Sequence, residues 1–313
     1  MNMKYWIVAL VMVLIMSIGM QGLVAFAEAV DATGAVEETA ALDVPANSDW
    51  WNILLLGGDS RSKSSYERTD SMIVLSVNIK EGKAKMTSIM RDTWVGYPGK
   101  SSHGKINAAN VYGGPELAMA TVNENFGLDI KEYVLINMAG LVNIIDQVGG
   151  IDIPVTASEK KWTNKYAKDF IKNFGAYDGA TSLKETGDSV HLNGLLAMSY
   201  CRNRYTGTDY ARTQRQRTVL LAVLEKLKIE NAAQLMSVAA SIIESVETNL
   251  NYANVFELAT LGLSLDMRTI EQNRIPADGT FKSGMKNGTW SIRPDFEKNK
   301  DLLHAFIYES APQ

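Results

Sequence analysis

Residues 52–92 read NILLLGGDSRSKSSYERTDSMIVLSVNIKEGKAKMTSIMRD. Three strand-like runs stand in this stretch. Residues 52–56 are apolar and end in Gly57-Gly58, residues 71–79 (SMIVLSVNI) form a longer apolar run, and residues 84–90 (AKMTSIM) alternate. The Glu81-Gly82 pair between the last two marks a hairpin turn. If the three runs form an antiparallel meander, strand one ends where strand two begins, and strand three returns to that end. Asp59, Arg68 with Asp70, and Arg91 with Asp92 then converge on one rim. Carboxylates brought together repel, which raises a pKa or calls for a cation. Two carboxylates with open positions suit Mg²⁺ bridging substrate phosphates better than a Ca²⁺ cage. The plainer alternative is that Asp59 and Asp70 pair with Arg61 and Arg68 as ordinary surface ion pairs.

Outward from this core, strands and helices alternate. Pro115 suits the first turn of a helix over 115–126, stopped by Gly127. A strand at 133–136, a helix at 138–148 closed by Gly149-Gly150 and a strand at 151–155 follow. Helical patterns cover 158–174, 193–199, 209–228, 232–246 and 252–262. Strands near 267–275 and 289–293 precede a helix over 295–308. The alternation predicts a layered α/β sheet with helices on both faces. No break divides residues 50–313, which read as one domain after an acidic, Ala-rich linker over 28–49.

Residues 4–27 (KYWIVALVMVLIMSIGMQGLVAFA) combine one Lys, a long apolar run and an Ala-Phe-Ala end. This is the pattern of a secretory signal peptide, with an uncleaved membrane anchor as the rival, so the remainder is expected outside the cytoplasm. The net charge of −4 argues against a polyanion-binding molecule as a whole, and nucleic acid fits poorly with export. The single cysteine, Cys201, excludes an internal disulfide, and His103, His191 and His304 lack metal-ligand spacing.

Any anion site must therefore be local, and residues 200–217 (YCRNRYTGTDYARTQRQR) supply one, with five Arg and no Lys. Arg offers forked donors that fit phosphate oxygens bidentately. Arg202 and Arg204 alternate, so in extended structure they point the same way. Asp209, Arg212 and Gln216 fall at i, i+3 and i+7 of the next helix, on one face. Asp209 also suits the N-cap of that helix, an end that favours anions. An exposed basic helix face is the alternative. Lys105, Asn107 and Asn110 lie in a polar loop, HGKINAANVYGGPE, of a kind that carries either ligand contacts or structure.

At this point the chain resembles the LytR–CpsA–Psr family. NILLLGGDSR (52–61), ERTDSMIVLSVN (67–78), SIMRDTWV (88–95), KINAANVYGG (105–114), IIDQVGGIDI (144–153), LNGLLAMSYCRNR (192–204) and DYARTQRQR (209–217) follow the order and spacing of its motifs. The resemblance implies a three-layer α/β/α sandwich with a central mixed sheet, on the outer face of the membrane. It implies a phosphotransferase that moves a glycopolymer, such as teichoic acid or capsule, from an undecaprenyl-pyrophosphate carrier onto peptidoglycan. Asp59 and Asp70 would hold Mg²⁺, with Mn²⁺ as a substitute. Arg91, Arg202, Arg204, Arg212 and Gln216 would bind the pyrophosphate, supported by Arg68 and Lys105, and Asp209 would serve as base or Arg orienter. An apolar tunnel would take the polyprenyl chain near the membrane lipid surface. A polyprenyl-pyrophosphate hydrolase and a non-catalytic lipid-phosphate-binding envelope regulator are the alternatives. The chain departs from the family pattern at Met90, where Pro usually precedes the Arg, and at Cys201, where a β-branched residue is common.

Overall fold

The computed structural model describes residues 49–58, 66–207, 209–226, 246–251, 254, 258 and 269–309. The expected signal segment, most of the linker, Asp59, Arg61, the helix over 232–246 apart from Val246, which starts a strand rather than ending a helix, and nearly all of that over 252–262 lie outside these residues.

The meander is present. β1 (Trp50–Gly58) pairs antiparallel with β2 (Thr69–Asn78), and β2 with β3 (Lys83–Ile89). β6 (Glu132–Ile136) adds parallel to β1, and β10 (Glu271–Ile275) parallel to β3. With β9 (Val246–Thr248) antiparallel on β6, the central mixed sheet runs β10-β3-β2-β1-β6-β9. Smaller two-stranded ribbons pair β4 (Trp94–Gly96) with β5 (His103–Lys105), β7 (Ile151–Val155) with β8 (Gly187–Leu192), and β11 (Phe281–Lys286) with β12 (Thr289–Pro294).

Side-chain alternation assigns the two faces of the sheet. Leu54, Leu56, Met72, Val74 and Ile89 meet helices α1 (Ala109–Phe126) and α6 (Phe296–Tyr308). Ile73, Val77 and Met86, with Leu55 and Leu75, meet Leu220, Leu221 and Leu224 of α5 (Asp209–Lys226). The sheet is thus covered on both sides, as expected. A second apolar cluster joins α5 to α2 (Met138–Gln147), α3 (Ala157–Phe174), α4 (Gly194–Cys201) and the β7–β8 ribbon.

The helix starts follow capping chemistry. Asn137, Asn193 and Asp295 accept backbone N–H bonds at the starts of α2, α4 and α6, and Thr156 forms a reciprocal capping box with Glu159 at α3. α4 can sit against α2 because Gly194 has no Cβ; one built there would stand 2.1 Å from the Val142 carbonyl oxygen. The expected start of α1 needs correction. Helix begins at Ala109 and breaks at Gly113-Gly114, where Gly114 has φ 68°, before Pro115 opens the second segment. Pro115 lacks the N–H that a continuous helix needs, so the kink falls just before it.

Candidate functional site

The meander brings the charged ends of its strands together. Gly58 pairs with Thr69 at the β1–β2 end, and Ile73 pairs with Ser88 near the end of β3. Asp70 therefore lies beside Arg91: Nη1 of Arg91 donates to one Asp70 carboxylate oxygen, and Nη2 of Arg204 donates to the other at 2.6 Å. Nε2 of Gln216 reaches the Asp70 main-chain carbonyl at 3.2 Å. Burial opposes ionisation of Asp70, but Arg91, Arg204 and Arg212 prevail and hold its carboxyl below the usual carboxylate range. Asp70 is thus a fixed anion on the rim, set inside a cluster of guanidinium groups.

Asp92 and Lys105 extend this network. Asp92 accepts from Lys105 Nζ at 2.7 Å and lies 3.6 Å from Arg91 Nε, so one carboxylate orients both cations. Sequence reasoning placed Asp92 on the rim without giving it this bridging part. Asn110 Nδ2 donates to the Glu67 carbonyl at 2.7 Å, and the Asn107 backbone N–H donates to the Arg91 carbonyl at 3.3 Å. Both asparagines are buried, and these bonds fasten the loop to the rim. Arg68 is exposed and acts electrostatically on Tyr97, whose phenol burial pushes up to about 12, so it flanks the rim.

The 200–217 cluster divides by role. Arg202 and Arg204 are not in an extended segment. Arg202 ends α4 in helical geometry, and Asn203 turns the chain by accepting the backbone N–H groups of Tyr205 and Thr206. Arg204 consequently reaches Asp70, whereas Arg202 packs over the Tyr166 ring at 5.7 Å. Arg212 and Gln216 share one face of α5, as their spacing predicts, and both line a cavity together with Arg202 and Asp70. Arg215 and Arg217 are buried and structural. Arg215 holds the Asn203 and Thr206 carbonyls, and Arg217 ties α5 to Ser88, Gln272 and the Asn273 carbonyl. Asp209 is the first helical residue of α5, one place later than a cap, and its side chain is outside the described set.

The cavity, of about 290 Å³, lies between the sheet and helices α2, α4 and α5. Its polar residues gather at the rim, and its walls are apolar: Leu55 and Ile73 from the sheet, Leu141 and Ile144 from α2, and Val219, Leu220, Val223 and Leu224 along α5. From Arg212 to Leu224, α5 rises roughly 18 Å. Cys201 is part of the wall, with its thiol pushed up to about 12 by burial, so it stays protonated. No sequence signal identifies this lining, because its residues have the same types as the core.

A divalent cation would find a partial donor set here. Asp70 is a hard, ionised oxygen donor whose two oxygens are held by arginines, so it fits Mg²⁺ as a single ligand if an arginine yields its place. The expected second donor, Asp59, is outside the described residues. Among the described residues, no group of three His, Cys, Asp or Glu side chains could hold a metal. The described residues also contain no helix long and apolar enough to cross a membrane.

The model of the LytR_cpsA_psr family matches residues 17–305. A polyisoprenyl-teichoic acid–peptidoglycan teichoic acid transferase, TagU, of Bacillus cereus is 32% identical over 231 residues, covering 73% of this chain and 69% of that protein. Biofilm regulatory protein A of Streptococcus mutans is 31% identical over 276 residues, 84% of this chain and 64% of that one. The crystal structure of TagV from B. subtilis superposes with a TM-score of 0.65 at 28% identity, covering 84% of this chain and 98% of that structure.

Proposed function

Because this chain belongs to the LytR–CpsA–Psr family, we infer that it is an extracytoplasmic phosphotransferase moving a lipid-linked glycopolymer onto peptidoglycan. One observation carries the reading: the Asp70 rim, with Arg91, Arg202, Arg204, Arg212 and Gln216, stands at the mouth of an apolar cavity. A polyprenyl pyrophosphate has the matching form, with a doubly phosphorylated head and a hydrocarbon tail. The relatives named as teichoic acid transferases support teichoic acid or a similar polymer as the cargo.

The residues divide the work by position. Arg202, Arg212 and Gln216 receive the pyrophosphate as the tail enters the cavity, so the head is fixed by the helix that lines the tail. Arg91 and Arg204, now held by Asp70, offer forked donors to phosphate oxygens. Asp92 holds both Arg91 and Lys105 in place. Asp70, with Asp59 as its partner, would hold Mg²⁺, which when bound neutralises charge on the phosphate oxygens. An acceptor hydroxyl of peptidoglycan attacks the phosphorus that carries the glycan. The new P–O bond forms as the bond to the lipid-side phosphate breaks, the electron pair leaves on the lipid phosphate, and the hydroxyl proton passes to a base, the part assigned to Asp209. Fixed guanidinium groups aimed at the leaving phosphate supply the electrostatic stabilisation that dominates phosphoryl transfer. Residues 4–27 would direct export and, if left uncleaved, would hold the protein at the membrane lipid surface where the carrier resides.

The test incubates the full chain with an undecaprenyl-pyrophosphate-linked donor, peptidoglycan and Mg²⁺, with products identified by mass. Arg91→Ala is expected to lower transfer by two orders of magnitude or more while the fold is kept. Transfer unchanged in a folded Arg91→Ala variant, or free polymer phosphate formed equally with and without peptidoglycan, would overturn the reading.

A further inference from the structure

Helix α3 carries a second charged feature, outside the rim. It holds Lys160, Lys161, Lys165, Lys168 and Lys172 against only Glu159 and Asp169, in a chain whose net charge is −4. Lys161, Lys165, Lys168 and Lys172 stand at i, i+4, i+7 and i+11. They fall within about 60° of arc and span a rise of roughly 16 Å. All four are exposed, and Thr163, Ala167 and Phe170 form the buried side of the helix opposite them. None of the four makes an ion pair with another described residue, whereas the neighbouring Glu159 is taken by Arg215. Like charges at this spacing destabilise a helix, so an anionic partner would relieve the stripe.

The N-terminal end of the stripe meets aromatic rings. Trp162 and Tyr205 stack with centroids 3.9 Å apart and planes 15° from parallel. Lys165 Nζ lies 4.8 Å from the Trp162 ring and 5.7 Å from that of Tyr205, which is 62% exposed. Beside them Tyr166 packs on Arg202, which lines the cavity mouth. The rim, the aromatic ledge and the lysines therefore form one continuous surface leading away from the pyrophosphate site.

We propose that α3 and the loop over 202–207 form a track for the glycopolymer itself, a phosphate-bearing chain whose first sugar rests at Tyr205 and whose phosphates follow the four lysines. The proposal deepens the phosphotransferase reading and rests on it. It makes polymer charge a determinant of specificity that the pyrophosphate rim cannot read, because every lipid-linked donor presents the same head.

Two measurements test it on the full chain. In the first, water-soluble poly(glycerol phosphate), free of lipid, is titrated at several salt concentrations. Wild type should bind with a salt slope that grows by about 0.7–0.9 per phosphate neutralised, as in nucleic acids. The combined Lys161→Gln, Lys165→Gln, Lys168→Gln and Lys172→Gln variant should bind at least tenfold more weakly, with the slope reduced by about 3–4, one increment for each of the four lysines. In the second, transfer is compared between a lipid donor carrying the phosphate-bearing polymer and one truncated to its first sugar. The lysine variant should lose efficiency only on the polymer donor, and Tyr205→Ala should lose several-fold on both. Unchanged affinity and salt slope in the lysine variant, or an equal loss on the truncated donor, overturns the track. If wild type transfers neither donor, the phosphotransferase reading fails instead, and the binding titration still decides the track.

Discussion

Leu224→Trp tests whether the cavity measures the lipid. Leu224 lines the cavity eight residues beyond Gln216 on the same helix. At 1.5 Å per residue, the new indole stands roughly 12 Å from the pyrophosphate end. An isoprene unit adds four chain bonds, about 5 Å by comparison with roughly 3.6 Å for the three bonds of an extended residue. Two units therefore end short of residue 224, whereas an undecaprenyl chain passes it. Each five-carbon unit kept in water forfeits up to about 4 kcal/mol, at about 0.8 kcal/mol per buried CH₂. Halving this for partial exposure leaves about 2 kcal/mol per unit, and one or two displaced units give about 2–4 kcal/mol, or roughly 30- to 1,000-fold in kcat/KM for the undecaprenyl donor. A geranyl-pyrophosphate-linked donor with the same glycan should change less than about twofold. The half-buried position of Leu224 tolerates the added bulk at a stability cost of about 1–3 kcal/mol, which thermal unfolding checks. An equal loss on both donors, or none on the long one, would refute the assignment of the cavity to the lipid.

Two further outcomes separate the anchoring arginines from the binding ones and fix the charge state of the rim. Arg217→Ala removes buried bonds to Ser88 and Gln272 and should cost about 3 kcal/mol of stability in denaturant unfolding, while Arg204→Ala, whose side chain is 44% exposed, should cost under about 1 kcal/mol yet abolish transfer. Asp70 is depressed below its unfolded value of about 3.9, so its stabilising contribution is complete above that pH and is lost as pH falls through the folded pKa; the stability gap between wild type and Asp70→Asn should be flat from about pH 5 to 8 and shrink below about pH 4.

The chain by itself determined the meander, because hydrophobic alternation and the Glu81-Gly82 turn are local signals. From the meander alone, the meeting of Asp70 with Arg91 followed. Helical spacing likewise put Arg212 and Gln216 on one face. It could not separate Arg204 from Arg202, because Asn203 turns the backbone between them, nor reveal that Arg215 and Arg217 are anchors, because a buried guanidinium and a binding one are the same residue type. The cavity was beyond the sequence for a similar reason. Whether Leu220 or Val223 fills a core or lines a void depends on the packing of α2, α4 and α5 against the sheet, a distance between elements far apart in the chain. Composition and periodicity decide which residues leave water, and only tertiary packing decides which of them leave space for a ligand.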